Sequence, residues 1–225
     1  DCTMSKWTVT KIKALKGRQK VVCVTAYDYT MARLVDQAGV QLVLVGDSLA
    51  MTMLGYATTL PVTMDEMVHH TKAVVRGIKE ALVVADMPFM SYHASPALAI
   101  KNAGVFIKSA GADAVKVEGG AFRAPAIRAL IKNGIPVLGH IGLTPQSIRS
   151  MGGYKVQGKK PGDAQHLVDD AIALEKAGVF AIVLECVPRA LGHDITRSVG
   201  VPTIGIGAGP ECDGQILVIN DLLGL

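Results

Sequence analysis

One unit recurs along this chain and limits the folds open to it. A helical stretch ends at a glycine, a short β-branched run follows, and a polar or charged residue closes the run. The copies read AGVQLVLVGDS, SAGADAVKVEGG, NGIPVLGHIG, KAGVFAIVLECV and VGVPTIGIGAG. Glycine suits the position just past a helix because it accepts the left-handed conformation. The near-continuous apolar runs are those of parallel strands covered on both faces. Two further runs, VVCVTAYD and ALVVADMPF, lack the leading glycine, and QILVIND is an eighth candidate. Strands are therefore expected near 21–26, 41–46, 82–86, 113–118, 135–140, 179–185, 202–207 and 215–220.

The intervening stretches read as helices. Met64, Met67, Val68, Thr71, Val74, Val75 and Ile78 share one face at helical spacing over 64–80. Thr63 and Glu66 form a capping-box signature at its start. Ser95-Pro96 opens the next helix, and Asp163 opens another over 163–177. Strand and helix alternating eight times imply an α/β fold of the (β/α)₈ TIM-barrel type, one domain over 1–225. An open doubly wound sheet is the competing fold, but its GxGxxG marker does not follow the first strand. The eighth helix is missing from this chain, so a neighbouring subunit or further chain is expected to cover the gap. Residues 8–17 are expected to form a short helix that plugs the bottom of the barrel.

Composition narrows the function classes. Of 225 residues, 50% are hydrophobic and 19% charged. No uncharged apolar stretch nears the ~18–20 residues of a membrane span. The net charge of +4 is scattered, with one dense basic patch at Lys155–Lys160 that has few aromatics nearby, so no nucleic-acid partner is expected. Cys2, Cys23, Cys186 and Cys212 form no CxxC pair and read as thiols of a reducing, cytoplasmic compartment.

In this fold the active site lies at the C-terminal ends of the strands. Those ends carry Tyr27, Asp28, Asp47, Ser48, Asp86, Lys116, Glu118, His140 and Glu185. Asp47 and Asp86 follow neighbouring strands, ~5 Å apart, and could share a hard divalent cation such as Mg²⁺. Glu118 is a third acidic contact, direct or through water. Lys116 shares a strand face with Glu118. It could pair with Glu118, neutralise a substrate carboxylate or form a Schiff base. His140 could donate to a substrate oxygen or be a structural histidine. Glu185, alone at the end of an apolar strand, could be a general base or pair with Arg189. His93 lies in a loop where it could line the mouth, whereas His69, His70 and His193 are expected to face solvent. The long segments Ser48–Val62 and Leu143–Gly162 have the length of functional lids.

Several stretches carry a resemblance: TAYDY, VGDSLAMTMLGY, ADMPFMSY, AVKVEGG, GHIGLTPQS, GGYKVQG, LECVP and PTIGIGAGPECDGQILV. In this order the chain resembles the ketopantoate hydroxymethyltransferase family. The resemblance implies a TIM barrel of the phosphoenolpyruvate/pyruvate-binding superfamily. It implies transfer of a hydroxymethyl group from 5,10-methylenetetrahydrofolate to 3-methyl-2-oxobutanoate, the first step of pantothenate biosynthesis. It also implies Mg²⁺ at Asp47 and Asp86 with Glu118 in its shell. The oxo acid would be held by Asp47, Ser48, Asp86 and Lys116, with His140 lining the site and Glu185 accepting the proton. The implied assembly is a cytoplasmic homodecamer with no membrane partner. A Mg²⁺-dependent carbon–carbon or phosphorus–carbon lyase of the same superfamily is the competing enzyme reading; its lid motif KKCGH is not found here.

Overall fold

The computed structural model describes residues 6–225. In chain order the helices and strands are α1 (Val9–Ala14), β1 (Val21–Thr25), α2 (Tyr29–Gln37), β2 (Leu42–Val45), α3 (Leu49–Thr52), α4 (Met64–Gly77), β3 (Leu82–Asp86) and α5 (Pro96–Val105). There follow β4 (Ala114–Glu118), α6 (Ala124–Lys132), β5 (Val137–Gly142), α7 (Ile148–Met151), α8 (Pro161–Ala177), β6 (Ala181–Glu185), α9 (Arg189–Ser198), β7 (Thr203–Ile206), β8 (Gly214–Leu217) and α10 (Ile219–Leu223). The eight strands close into a parallel barrel in sequence order, with β8 paired to β1.

Strand parity explains both the apolar runs and the polar ends. Leu42, Leu44, Leu82, Val84, Ala114, Leu138, Ala181, Val183, Ile204 and Ile216 fill the barrel interior. Their neighbours Val43, Val45, Val83, Ala85, Val115, Val117, Ile182 and Leu184 pack outward beneath the helices. Continuing the inward parity toward the strand ends brings Asp86, Lys116, Glu118, His140 and Glu185 into the mouth. At the other end Ile12 of α1 is fully buried within the interior cluster, with Trp7, Val9 and Leu15 packed against it. The expected plug is present.

Helix starts follow the local signals. Thr63 and Glu66 make a complete capping box: Glu66 N donates to Thr63 Oγ1 (3.2 Å) and Thr63 N to Glu66 Oε2 (2.7 Å). Ser95 caps α5 through Leu98 N. Several boundaries differ from expectation. β5 lies at 137–142 instead of 135–140, because Pro136 has no N–H to give the ladder. α8 begins at Pro161, before Asp163, with proline in its first turn. β8 stops at Leu217, and the chain turns into the five-residue α10 where no helix was expected. This short helix leaves outward side chains of β1 and β8, Val22 and Leu217, exposed. Each long segment carries a helical turn of its own, α3 in the first and α7 in the second. Cys23, Cys186 and Cys212 are free thiols, while Cys2 lies outside the described residues. No helix among the described residues is long and apolar enough to cross a membrane.

Candidate active site

A cavity of about 300 Å³ opens at the C-terminal mouth of the barrel. Seven of the strand-end residues expected from the sequence line it: Asp47, Ser48, Asp86, Lys116, Glu118, His140 and Glu185.

Lys116 stands at the centre of the floor. Its Nζ donates to both oxygens of Asp86 at 2.7 Å and to Glu118 Oε1 at 3.3 Å. The nearer partner is thus Asp86 on β3, not Glu118 two residues along its own strand. Burial pulls the lysine pKa down, but Asp86, Glu118 and Asp47 outweigh it and hold the ammonium well above the usual lysine range. The ion pairs to Asp86 and Glu118 favour the ammonium over the free amine a Schiff base requires, and so favour an electrostatic role for Lys116.

The carboxylates divide by environment. Burial would raise Glu118, but Lys116 and His140 hold it at about 2. Asp47 is raised well above its ordinary value, by burial first and then by the charge of Asp86. Burial also raises Asp86, although Lys116 and the Asp47 N–H oppose the shift. Three of these carboxylates are nearly sealed, while the Glu185 side chain keeps 22% of its surface. Its neighbour is His140, whose Nε2 lies 3.1 Å from Glu185 Oε2 and whose Nδ1 lies 3.4 Å from Glu118 Oε1. Neither approach has hydrogen-bond alignment. Burial pulls the imidazole pKa down, yet the two carboxylates raise it to about 9. Arg189 turns to Glu211 instead, so it is not the partner of Glu185. Ser48 Oγ is oriented by the Tyr27 hydroxyl at 2.8 Å, which itself accepts from Thr25 Oγ1 at 2.9 Å.

Other strand-end candidates fall elsewhere. Asp28 caps α2 by accepting from Met31 N. His93 packs against the Phe89 and Tyr92 rings and is not part of the cavity wall. Burial and Arg123 lower it to about 4. His70 does not face solvent: its Nδ1 lies 2.7 Å from the Tyr27 carbonyl oxygen, behind the site. His193 is exposed beside Asp194, as expected.

Gln146 escaped the sequence reading and organises the floor. Its Nε2 donates to Asp47 Oδ2 (3.0 Å) and the Met87 carbonyl (2.9 Å), and its N–H donates to Glu118 Oε2 (3.1 Å). Its Oε1 accepts from the Tyr92 hydroxyl at 2.7 Å. A lone glutamine in a long loop carries no local signal, and only its presence in GHIGLTPQS set it apart.

The residues can be tested against a divalent cation. Among the described residues no cluster of three or more His, Cys, Asp or Glu side chains is spaced to hold a metal on its own. Glu118 spends one oxygen on Gln146 and turns the other toward Lys116 and His140. It suits a contact through water rather than a direct bond. Asp47 and Asp86 are the hard oxygen donors on the cavity wall, both oxygens of Asp86 being shared with Lys116, and Mg²⁺ commonly takes only one or two protein carboxylates. The site's four carboxylates against the Lys116 ammonium and the His140 imidazolium leave surplus negative charge, costly unless a further cation joins them. Donor set and charge both fit.

Comparison with known proteins extends this geometry. Relatives named 3-methyl-2-oxobutanoate hydroxymethyltransferase include that of Syntrophomonas wolfei subsp. wolfei, 56% identical over 223 residues, covering 99% of this chain and 81% of the relative. That of Carboxydothermus hydrogenoformans is 58% identical over 223 residues with the same coverages. That of Moorella thermoacetica is 57% identical over 222 residues, covering 98% and 82%. Among solved structures, 2,3-dimethylmalate lyase, a PEP mutase/isocitrate lyase superfamily member, superposes with a TM-score of 0.70 at 18% identity, covering 97% of this chain and 80% of that one. Phosphonopyruvate hydrolase in complex with oxalate and Mg²⁺ gives 0.70 at 15%, covering 96% and 83%. These distant matches establish the barrel type alone. The ketopantoate hydroxymethyltransferase family model matches residues 6–225. Matched over its described length and against relatives of this identity, the chain belongs to the ketopantoate hydroxymethyltransferase family, enzymes that make ketopantoate from 3-methyl-2-oxobutanoate.

Proposed function

We propose that the floor of the cavity converts 3-methyl-2-oxobutanoate to its enolate and that 5,10-methylenetetrahydrofolate supplies the one-carbon unit. Lys116, held cationic by its neighbours, offsets the charge of the substrate carboxylate, and Ser48, pinned by Tyr27, donates a hydrogen bond to it. Asp47 and Asp86 would hold Mg²⁺, with Glu118 in its outer shell, and the ion would supply Lewis-acid neutralisation of the charge that develops on the enolate. Glu185 takes the C3 proton, and the C–H electron pair becomes the enolate double bond. Water adds to the one-carbon unit and its C–N bonds break, the nitrogens taking protons as tetrahydrofolate leaves. The enolate C2=C3 pair then bonds C3 to the resulting aldehyde carbon as the 2-oxo group re-forms. The aldehyde oxygen, derived from water, takes the proton held by Glu185 to become the hydroxyl. His140 holds the Glu185 carboxylate in place from below.

One observation carries this assignment. Of the four carboxylates at the strand ends of the cavity, Glu185 is the one left open to a ligand, while Asp47, Asp86 and Glu118 are sealed into the floor; the fifth carboxylate of the wall, Asp221, is exposed on α10. A base must reach the proton it removes. The same reading takes the enzyme to be a cytoplasmic homodecamer.

The test is isotope exchange at C3 in D₂O without folate, which isolates enolisation. Glu185→Gln keeps shape and removes basicity. It is expected to bind Mg²⁺ and the oxo acid but to lose at least ~10²-fold in exchange, the lower range for a general base. Exchange at the parent rate would move Glu185 to the carbon-transfer half of the reaction.

A further inference from the structure

The cavity has two tiers, and the floor accounts for only the lower one. Away from the buried charged groups the wall is mostly apolar, with Met51, Pro145, Tyr154 and Val218, and Thr52 and Asp221 as its polar members. A volume of about 300 Å³ is already in the range that holds drug-sized ligands. A five-carbon oxo acid set on the floor leaves the upper tier free. Tyr154 is the one aromatic ring in that wall, and 55% of its surface is exposed. Its hydroxyl lies 3.8 Å from Met51 Sδ, so the two long segments meet over the site at this contact. Tyr154 shares the cavity wall with Asp47, Glu118 and Glu185.

The backbone fixes that position. Leu143 N donates to the Glu185 carbonyl (2.8 Å) and Gln157 N to the Cys186 carbonyl (2.9 Å). The segment carrying Tyr154 is thus stitched on both sides to the end of β6, beside the proposed base. Cys186 holds a left-handed φ of 52°, a turn that side chains other than glycine adopt only under constraint.

We infer that Tyr154 is the platform against which the flat heteroaromatic part of the one-carbon donor packs, with Met51 as a soft contact beside the hydroxyl end of the ring. A rigid aromatic face beside a thioether suits a planar ligand, and neither group adds charge where the oxo acid is already neutralised. The inference rests on the folate donor proposed above.

The test uses the Mg²⁺-loaded enzyme with Tyr154→Ala and Tyr154→Phe. Isothermal titration with tetrahydrofolate, which has no carbon to transfer, reads binding without turnover. Tyr154→Ala is expected to weaken tetrahydrofolate and raise KM for the methylene donor by about 10-fold, in line with a lost aromatic contact. Tyr154→Phe should stay within about 2-fold of the parent, since the ring and not the hydroxyl does the packing. KM for 3-methyl-2-oxobutanoate should move less than KM for the donor. Unchanged tetrahydrofolate binding in Tyr154→Ala overturns the inference, as does an equal or larger rise in the oxo-acid KM. A smaller oligomer with unaltered tetrahydrofolate binding would make the ring a subunit contact instead. A parent that exchanges the C3 proton yet binds no tetrahydrofolate removes the donor itself, and this inference with it.

Discussion

Replacing Lys116 by methionine keeps the bulk of the stem and deletes the charge. The lysine is 4% exposed and faces Asp86 and Glu118 directly, with Asp47 beyond. Four carboxylates, Glu185 included, against the Lys116 ammonium and the His140 imidazolium is a net −2, and the substitution makes it −3. Breaking a buried pair costs about 3–5 kcal/mol. A second route gives the same size. Escaping the extra charge by protonating one carboxylate at pH 7 spans about three pK units at ~1.36 kcal/mol each, roughly 4 kcal/mol. For a chain of this size 1 kcal/mol moves Tm by about 2–4 °C. A loss of about 8–16 °C is therefore expected in EDTA at pH 7. Calorimetry with and without Mg²⁺ then separates charge from packing. A divalent cation at Asp47 and Asp86 replaces the missing positive charge, so Lys116→Met should gain more Tm from Mg²⁺ than the parent gains. A loss under about 3 °C in EDTA, or equal Mg²⁺ gains in the two proteins, would refute the reasoning.

Two further outcomes follow from the same site. His140 is raised to about 9 in the fold, above an unfolded value of about 6.5. Its contribution, up to about 3 kcal/mol, is fully present below pH ~6.5 and is lost as pH rises through ~9. In EDTA the parent Tm should fall across that window and His140→Gln should not; equal slopes in the two would contradict the buried imidazolium. Gly142 has φ 93°, and a Cβ there would stand 2.3 Å from the Glu185 carbonyl oxygen. Gly142→Ala should cost about 1–3 kcal/mol by denaturant melts and slow C3 exchange further than its stability loss explains. Parent-like exchange would show that the end of β6 tolerates displacement.

The barrel and much of its site were legible in the sequence because both rest on local rules. Period-two alternation sets which side chains point inward, so Asp86, Lys116, Glu118, His140 and Glu185 could be placed at the mouth from strand parity alone. The capping box at Thr63 and the proline after Ser95 mark helix starts within a few residues of chain, and both are observed. The family resemblance lay in stretches readable in order along the chain. Pairings were different. Lys116 binds Asp86, 30 residues away, more closely than Glu118, and Glu185 faces His140 while Arg189 turns to Glu211. Gln146 reaches Asp47 across 99 residues of sequence. The same chemistry of residue types permitted the other partners, and the choice falls to the register with which neighbouring strands meet. Only the closed barrel sets that register, bringing β3 beside β4 and β5 beside β6 at fixed heights and folding the segment after β5 back over the mouth.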